Sequence, residues 1–310
     1  MTRNYALLAV GELLGDFIGT EISTNLTDTE IFRRFQGGSP SNLAANMARL
    51  GEKTAIVSCV GEDNLGTYLV DEVAKTGVDV SHVQRIANEP SSIVLVSRTE
   101  GTPDFIPYRT SDRMIRPEHI SDELLNQCAI FHTTCWPLSK EPSQATVLDA
   151  AKRAKKAGCI ISADLNYAER VWPYRQEAHE VIKAYLSNGA LIKLSEDDAE
   201  RFYGEPVSIE KVLTDFHAWG AELICFTLGS KGSLVSTNGG KTRIETKGRP
   251  IDVVDATGAG DSFWAGFLTA YLEGHNPKTC ANAGTNLAAL KLMTLGPLPK
   301  VVDRQVLYQN

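Results

Sequence analysis

Three absences narrow the class of this chain before any motif is considered. No stretch approaches the roughly 18 consecutive apolar residues that a membrane span requires. Positive charge is not in excess: 31 Lys and Arg stand against 38 Asp and Glu, a net charge of −7. That balance excludes a broad basic surface, and with it nucleic acid or an anionic membrane as the main partner. Cysteine pairing is also missing. Cys59, Cys128, Cys135, Cys159, Cys225 and Cys280 are scattered without a CxxC, several of them inside apolar runs such as 222-ELICFTL. Thiols so placed read as reduced and buried, the pattern of a cytoplasmic protein. The first residues, MTRNYALLAVGE, reach Gly11 and Glu12 too soon for a signal-peptide core, which points the same way. Repeats, low-complexity tracts and linker-like stretches are lacking as well. With 43% apolar and 22% charged residues, the chain is expected to fold as a single unit over 1–310.

What is present is an alternation of short apolar runs with longer helical patterns. The runs 5-YALLAV, 54-TAIVSCV, 129-AIFHTT, 159-CIISAD, 190-ALIKLS and 222-ELICFTL are nearly continuous, as strands buried on both faces should be. Between them, 65-LGTYLVDEVAKTG and 142-PSQATVLDAAKRAKKAG carry helical spacing, the second opened by Pro142 and closed by Gly158. The alternation predicts an α/β fold with a mostly parallel sheet covered by helices. Residues 12–36 and 91–110 break it. The second reads as a hairpin with a Gly-containing turn, and both are expected to form a small antiparallel excursion, either a lid over a cleft or plain surface hairpins.

The strongest chemical signal is 252-DVVDATGAGDSFWAGFLTAYLEG, expected to run strand, glycine loop, helix. It puts Asp261 in a helix first turn, directly after Gly258-Ala259-Gly260. First-turn amides lack helical partners and the dipole adds positive potential, so the site suits phosphate, with Asp261 placed to take a proton from an attacking hydroxyl. A carboxylate that merely complements the dipole would account for Asp261 but not for the glycines before it. A second signal is 37-GGSPSNLAANMARLG, where Ser39 suits a helix cap and Pro40 its first position. There Gly38 allows close backbone approach and Asn42 offers a donor and an acceptor; an ordinary capped helix fits equally. A third is 227-TLGSKGSLV, with Thr227, Gly229 and Gly232 at a strand end, suited to nucleotide phosphates or to a plain turn. Other matches fail. Gly240-Lys241-Thr242 lacks the upstream glycine of a P-loop, since Val235 stands there, and Phe263 occupies the third glycine position of a dinucleotide fingerprint. His132 and Cys135 have no second ligand pair at metal spacing.

Taken together, these segments resemble the PfkB (ribokinase-like) family of carbohydrate kinases over essentially the whole chain. Gly37-Gly38-Ser39-Pro40-Ser41-Asn42, running on to Gly51 and Gly61, matches the N-terminal pattern. Asp255-Ala256-Thr257-Gly258-Ala259-Gly260-Asp261 matches the C-terminal one, with Ala256 as a departure. The resemblance implies a ribokinase-like αβα sandwich with a small β-sheet lid, a lid that often forms a homodimer interface, and transfer of the ATP γ-phosphate to a sugar hydroxyl with Mg2+. It implies Asp261 as base, the amides of Gly258, Ala259 and Gly260 as anion hole, and Asp16, Gly38 and Asn42 on the sugar. It places Thr227, Gly229 and Gly232 in the nucleotide loop, with Lys193 and Ser195 from 193-KLSEDD nearby and Asn282 or Asn286 at the adenine. Asp255 and Thr257 resemble part of a monovalent-cation (K+) site. Where the family often has Asn-x-x-Glu, this chain has Ser195 and Asp198.

For the acceptor, 105-FIPYRTSDRMI resembles fructokinases and 2-keto-3-deoxygluconate kinases, with Tyr108 and Arg109 as the matching substrate pair. The stretch 164-DLNYAERVW resembles the same groups, with Asp164 and Asn166 in place, Ala168 where an Arg is expected, and Arg170 nearby. A sugar acid would use two arginines on its carboxylate, so the loss favours a neutral ketose such as fructose. The GGSPSN wording also resembles 5-dehydro-2-deoxygluconate kinases. A sugar- or nucleotide-binding regulator that keeps the fold without the chemistry is the alternative of another class.

Overall fold

The apolar runs become strands because only a sheet covered on both faces can bury them. The computed structural model describes residues 3–99 and 104–309. Among these residues the strands are β1 (Tyr5–Val10), β2 (Leu14–Ile22), β3 (Phe32–Gly37), β4 (Thr54–Gly61), β5 (Val83–Ile86), β6 (Ile93–Arg98), β7 (Phe105–Tyr108), β8 (Cys128–Thr134), β9 (Ile160–Asp164), β10 (Leu191–Ser195), β11 (Leu223–Thr227), β12 (Gly232–Thr237) and β13 (Thr242–Lys247). The helices are α1 (Ser39–Arg49), α2 (Asn64–Ala74), α3 (Asp122–Asn126), α4 (Cys135–Leu138), α5 (Ser143–Lys156), α6 (Arg175–Leu186), α7 (Glu196–Tyr203), α8 (Ile209–Ala218), α9 (Ala259–Leu272) and α10 (Pro277–Leu292).

Nine strands form one sheet in the order β13-β12-β11-β10-β9-β8-β1-β4-β5, parallel from β11 to β5 and antiparallel at β12 and β13. Alternate residues of each strand point to opposite faces. Leu8 and Val10 pack with residues of α3, α5, α6, α7 and α8, whereas Leu7 and Ala9 pack with α1, α2, α9 and α10. The result is the expected αβα sandwich of the ribokinase type, with the central strands buried on both faces. All six cysteines are buried and unpaired. No helix among the described residues is long and apolar enough to cross a membrane.

The excursions form a second, four-stranded sheet, β3-β2-β6-β7, which is mixed and not antiparallel throughout as expected: the two hairpins β2-β3 and β6-β7 are antiparallel, but β2 and β6, joined by a long crossover, run parallel. The Gly-containing turn expected between β6 and β7 falls at 100–103, outside the described residues. Register fixes the two faces of this sheet. Asp16 lies opposite Phe35 and Val94, and Val94 opposite Pro107; one step along, Ile18 lies beside Arg33 and Val96, and Val96 opposite Phe105. These side chains share one face. Phe17, Arg34, Ile106 and Tyr108 alternate to the other, where Arg34 stacks on Tyr68 of α2.

Two further local expectations fail. Residues 252–254 are not a strand. Val253 and Val254 are exposed, and the amides of Val254 and Asp255 bond instead to the Leu292 carbonyl at the end of α10 (2.8 and 3.1 Å). Nor does α9 bury only one stripe: every residue from Ser262 to Ala270 is buried, because α10 covers the side that would face solvent. The two helices touch through glycine. A Cβ on Gly266 would lie 2.6 Å from the Ala283 carbonyl oxygen, and one on Gly284 would lie 2.7 Å from that of Phe263. Gly266→Val is therefore expected to destabilise the fold by about 1–3 kcal/mol, as overpacking does. Urea unfolding measures this, and an unchanged midpoint would show that the helices part without cost.

Candidate active site

The parallel strands end on one edge of the large sheet, and their C-terminal ends carry polar residues: Glu12 after β1, Thr134 on β8, Asp164 on β9, Ser195 on β10 and Thr227 on β11. That edge is where α/β sheets bind ligands. Helix α9 starts there. Gly258 caps it in the left-handed region (φ 73°), which a residue with a Cβ adopts only with strain. Asp261 follows in the first turn.

The Asp261 carboxylate is held from the far end of the sequence. Ser39 Oγ donates to Oδ1 (2.6 Å) and Asn42 Nδ2 to Oδ2 (2.9 Å). Ser39 is thus not the side-chain cap of α1: Gly38 takes the cap position with no side-chain bond, and the Ser39 hydroxyl goes to Asp261 instead. The double glycine makes room for two acids. A Cβ on Gly38 would meet the Glu12 carbonyl at 2.3 Å, and one on Gly37 would meet Asp16 Oδ2 at 2.1 Å. Asp16 is pushed up to about 7 by burial and then by the charge of Asp261. Asp261 itself is raised by burial, against the opposing pull of Ser39, Asn42 and Lys193. Glu12 is fully buried, is pushed up to about 8 by burial, and accepts from the Ser39 amide and Thr134 Oγ1 (3.1 Å each).

On the sheet side, Lys193 and Asp164 form a buried pair (Nζ to Oδ2, 2.6 Å). A Cβ on Gly260 would lie 3.2 Å from Lys193 Nζ, so this ammonium sits against the start of α9. Asp164 Oδ1 is buried with no protein partner. Asn166 takes a positive φ of 22° and accepts from the Cys135 amide (3.3 Å). Of the three amides expected to form an anion hole, that of Ala259 bonds to the Ala256 carbonyl (3.2 Å), whereas those of Gly258 and Gly260 have no main-chain partner.

Other expected residues are placed differently. Arg109 is engaged within the protein. Its buried guanidinium pairs with Asp112 (2.7 Å) and bonds to the Trp136 carbonyl (2.9 Å) and to Ser139, pinning the hairpin base to the turn after β8. Tyr108 lies on the lid face opposite to Asp16 and is half-exposed. Arg170 reaches the lid, where it pairs with Asp104 and bonds to the Phe105 carbonyl. Ser195 caps α7 and exchanges bonds with Asp198 (Oγ to Oδ2, 2.7 Å), so both are committed to that helix end. Thr227 sits beside Ser195 in register, and Gly232 is required where a Cβ would strike the Thr246 carbonyl at 2.0 Å; Gly229 faces open space. Asn286 is spent on structure, accepting from Arg249 (2.7 Å) and donating to the carbonyls of Leu307 (3.0 Å) and Gln309 (2.8 Å); Asn282 is exposed. Asp255 bonds the Lys291 ammonium (3.1 Å). Glu12 and Lys291 were missed in the sequence; the first is a lone acid in an apolar run, whereas nothing around the second signals a role. His132 is an interior strand residue bonded to Ser162 (2.9 Å).

This arrangement, a carboxylate and free amides at one helix start with a lid opposite, agrees with comparison to known proteins. The pfkB family carbohydrate kinase model matches residues 5–301. The chain belongs to the pfkB family of carbohydrate kinases. As a member it is an ATP-dependent carbohydrate kinase. It is 34% identical over 301 residues to an ATP-dependent 6-phosphofructokinase of Thermoanaerobacterium thermosaccharolyticum, covering 97% of this chain and 92% of that one. Its structure is similar to that of the Halothermothrix orenii fructokinase (TM-score 0.79, 30% identity, 90% of this chain and 97% of that one). It is also similar to an uncharacterized sugar kinase from Pyrococcus horikoshii in complex with ATP (TM-score 0.85, 26% identity, 96% of each chain).

The Ser39 bond favours the ionised form of Asp261. Ser39→Ala is expected to move the acidic fall of kcat to higher pH and to lower kcat/KM near pH 7 on the order of tenfold, the worth of a bond to a charged group. A pH–rate profile superimposable on that of the wild type would remove Ser39 from this role.

Proposed function

We propose that this kinase transfers the γ-phosphate of ATP to a hydroxyl of a neutral ketose, fructose in the first instance. The observation that carries the reading is the Asp261 carboxylate, fixed by Ser39 and Asn42 at the start of α9 and close enough to Asp16 for the two charges to interact. The base takes the hydroxyl proton, the amides of Gly258 and Gly260 receive the charge on the migrating phosphoryl, and the Lys193 ammonium adds to that field. Asp16, Gly38 and Asn42 border the sugar side, and Asp164 and Asn166 the floor. Thr227, Gly229 and Gly232 border the nucleotide side, with Ser195 shaping the adjoining strand end. The ATP-bound Pyrococcus kinase supports ATP as donor. Magnesium fits as a largely hydrated ion. No cluster of three metal-ligating side chains exists among the described residues, and the orphaned Asp164 Oδ1 is the group that would face its water shell. When bound with ATP it supplies charge neutralisation on the phosphates. The outer lid face, where Ile106 and Tyr108 are exposed, is the homodimer surface in this reading.

The state of the arginines supports a neutral acceptor. Both candidates for a sugar carboxylate are engaged, Arg109 with Asp112 and Arg170 with Asp104. This weighs against 2-keto-3-deoxygluconate and related acids. ADP release with a panel of fructose, fructose 6-phosphate, ketodeoxygluconate and ribose is expected to favour fructose, and Asp261→Asn to lower kcat on the order of 10²–10⁴-fold with the fold intact. Turnover confined to the acid would overturn the acceptor assignment. Sugar binding without turnover of any panel member would favour a regulator.

One observation favours a second acceptor, fructose 6-phosphate. Arg33 shares the Asp16 face of the lid, stacks on Phe35 (5.2 Å), and has no carboxylate partner among the described residues. The relative of 34% identity is a 6-phosphofructokinase. If the sugar phosphate is the acceptor, Arg33→Ala should raise its KM on the order of tenfold with kcat little changed. For fructose the same variant should leave kcat/KM within about twofold, the pattern of a residue that contacts only the added phosphate.

A further inference from the structure

The K+ site expected at Asp255 and Thr257 does not fit the residues that surround it. Lys291, in the last turn of α10, is buried to 4% exposure, and its ammonium ends inside the oxygen set that a monovalent cation would use. Nζ lies 3.1 Å from Asp255 Oδ2, 3.2 Å from the Asp255 carbonyl and 3.4 Å from the Thr294 carbonyl. An ammonium has three protons to donate, and three oxygens take them. A carboxylate with main-chain carbonyls is the kind of donor set that holds potassium in proteins, but a second cation there would meet a fixed like charge at contact distance.

The ammonium also has something to hold. Asp255 Oδ1 accepts from the Thr257 amide (2.9 Å), and Oδ2 accepts from the Gly296 amide (3.0 Å). Two residues further on, Ala259 closes a turn back onto Ala256, and α9 begins with its anion-hole glycine. The segment 251–258 has no strand pairing to fix it. Its anchors are the Leu292 carbonyl and this partly buried carboxylate, which shares its side with main-chain carbonyls and is held there by the Lys291 ammonium.

We infer that Lys291 is a built-in, tethered cation: its ammonium stands where a monovalent ion would bind and holds the loop that presents the Gly258 and Gly260 amides, so that this kinase works without added potassium. Lys291 touches neither sugar nor phosphate and acts as a positioning residue through Asp255.

The test compares potassium chloride with choline chloride at equal ionic strength. Thermal unfolding needs no sugar, so it reads the site whichever acceptor is correct; turnover is then followed with whichever panel sugar is accepted. For the wild type, both the unfolding midpoint and kcat are expected to be the same in the two salts. A saturable rise of either with potassium would overturn the inference, and this arm needs no variant. Lys291→Ala opens the space of the side chain. In choline its kcat should fall on the order of 10²-fold, as when reacting groups are displaced by about 1 Å. Potassium or ammonium should restore part of that loss and raise the midpoint. Lys291→Met removes the charge but keeps much of the volume, and should be as impaired yet unrescued. Full activity of Lys291→Ala in choline, or a loss in it that neither potassium nor ammonium reverses, would overturn the proposal.

Discussion

The contact on which the site depends joins two segments more than two hundred residues apart: the hydroxyl of Ser39 and the amide of Asn42 against the carboxylate of Asp261. Each helix start would be unremarkable alone. Brought together at the C-terminal edge of the sheet, they hold an acid that burial raises and hydrogen bonds lower, a balance that leaves it able to accept a proton. The sheet makes this meeting possible. Strands buried on both faces fix the positions of their own ends; α1 packs against β1 and β4, and α9 packs against α1 on the same face, with Trp264 Nε1 donating to Ser162 of β9.

A second feature of the design is how many charged and polar side chains are already spoken for. Arg109 is closed off by Asp112, Asn286 by the C-terminal segment, Asp198 by Ser195, and Asp255 by Lys291. A buried ion that lacks a partner costs several kcal/mol, so such groups find partners wherever the fold lets them. What remains without a hydrogen-bond partner is therefore informative: the amides of Gly258 and Gly260 and the orphaned Asp164 Oδ1. On the Asp16 face of the lid, the exposed Arg33 stacks on Phe35 without a carboxylate partner among the described residues. In the proposed reading these groups face phosphate on one side and a sugar, with or without a phosphate of its own, on the other.

Most of the architecture was legible from the chain. All six apolar runs read as strands are strands, at nearly the expected limits, because a residue buried on both sides of a sheet must be apolar and that signal is local. The small second sheet was legible for the opposite reason, as two segments that broke the pattern, though not the parallel pairing of β2 with β6. The failures share a cause. Val253 and Val254 look like a strand and are not, because α10 offers the Leu292 carbonyl as a better partner than any sheet edge. The stripe expected on α9 vanished because a second helix covers it, close enough that Gly266 and Gly284 have no substitute.

At the candidate site, what lies close in sequence was legible as geometry: Gly258, Ala259, Gly260 and Asp261 form one short loop and helix start, as expected, although the Ala259 amide turns back to the Ala256 carbonyl. Residue identity did not suffice where the partner comes from elsewhere. Ser39 has the composition of a cap, and only the approach of α9 gives it a carboxylate to serve. Arg109 and Tyr108 sit side by side in the chain. The pleat sends Tyr108 to the far side of the lid, and the turn at Trp136 gives Arg109 a pocket of its own. Lys291 is one lysine among many until α10 carries it to Asp255. Local patterns follow from short-range sterics and burial; the choice of electrostatic partner is a long-range outcome of packing, and it is fixed when the layers close.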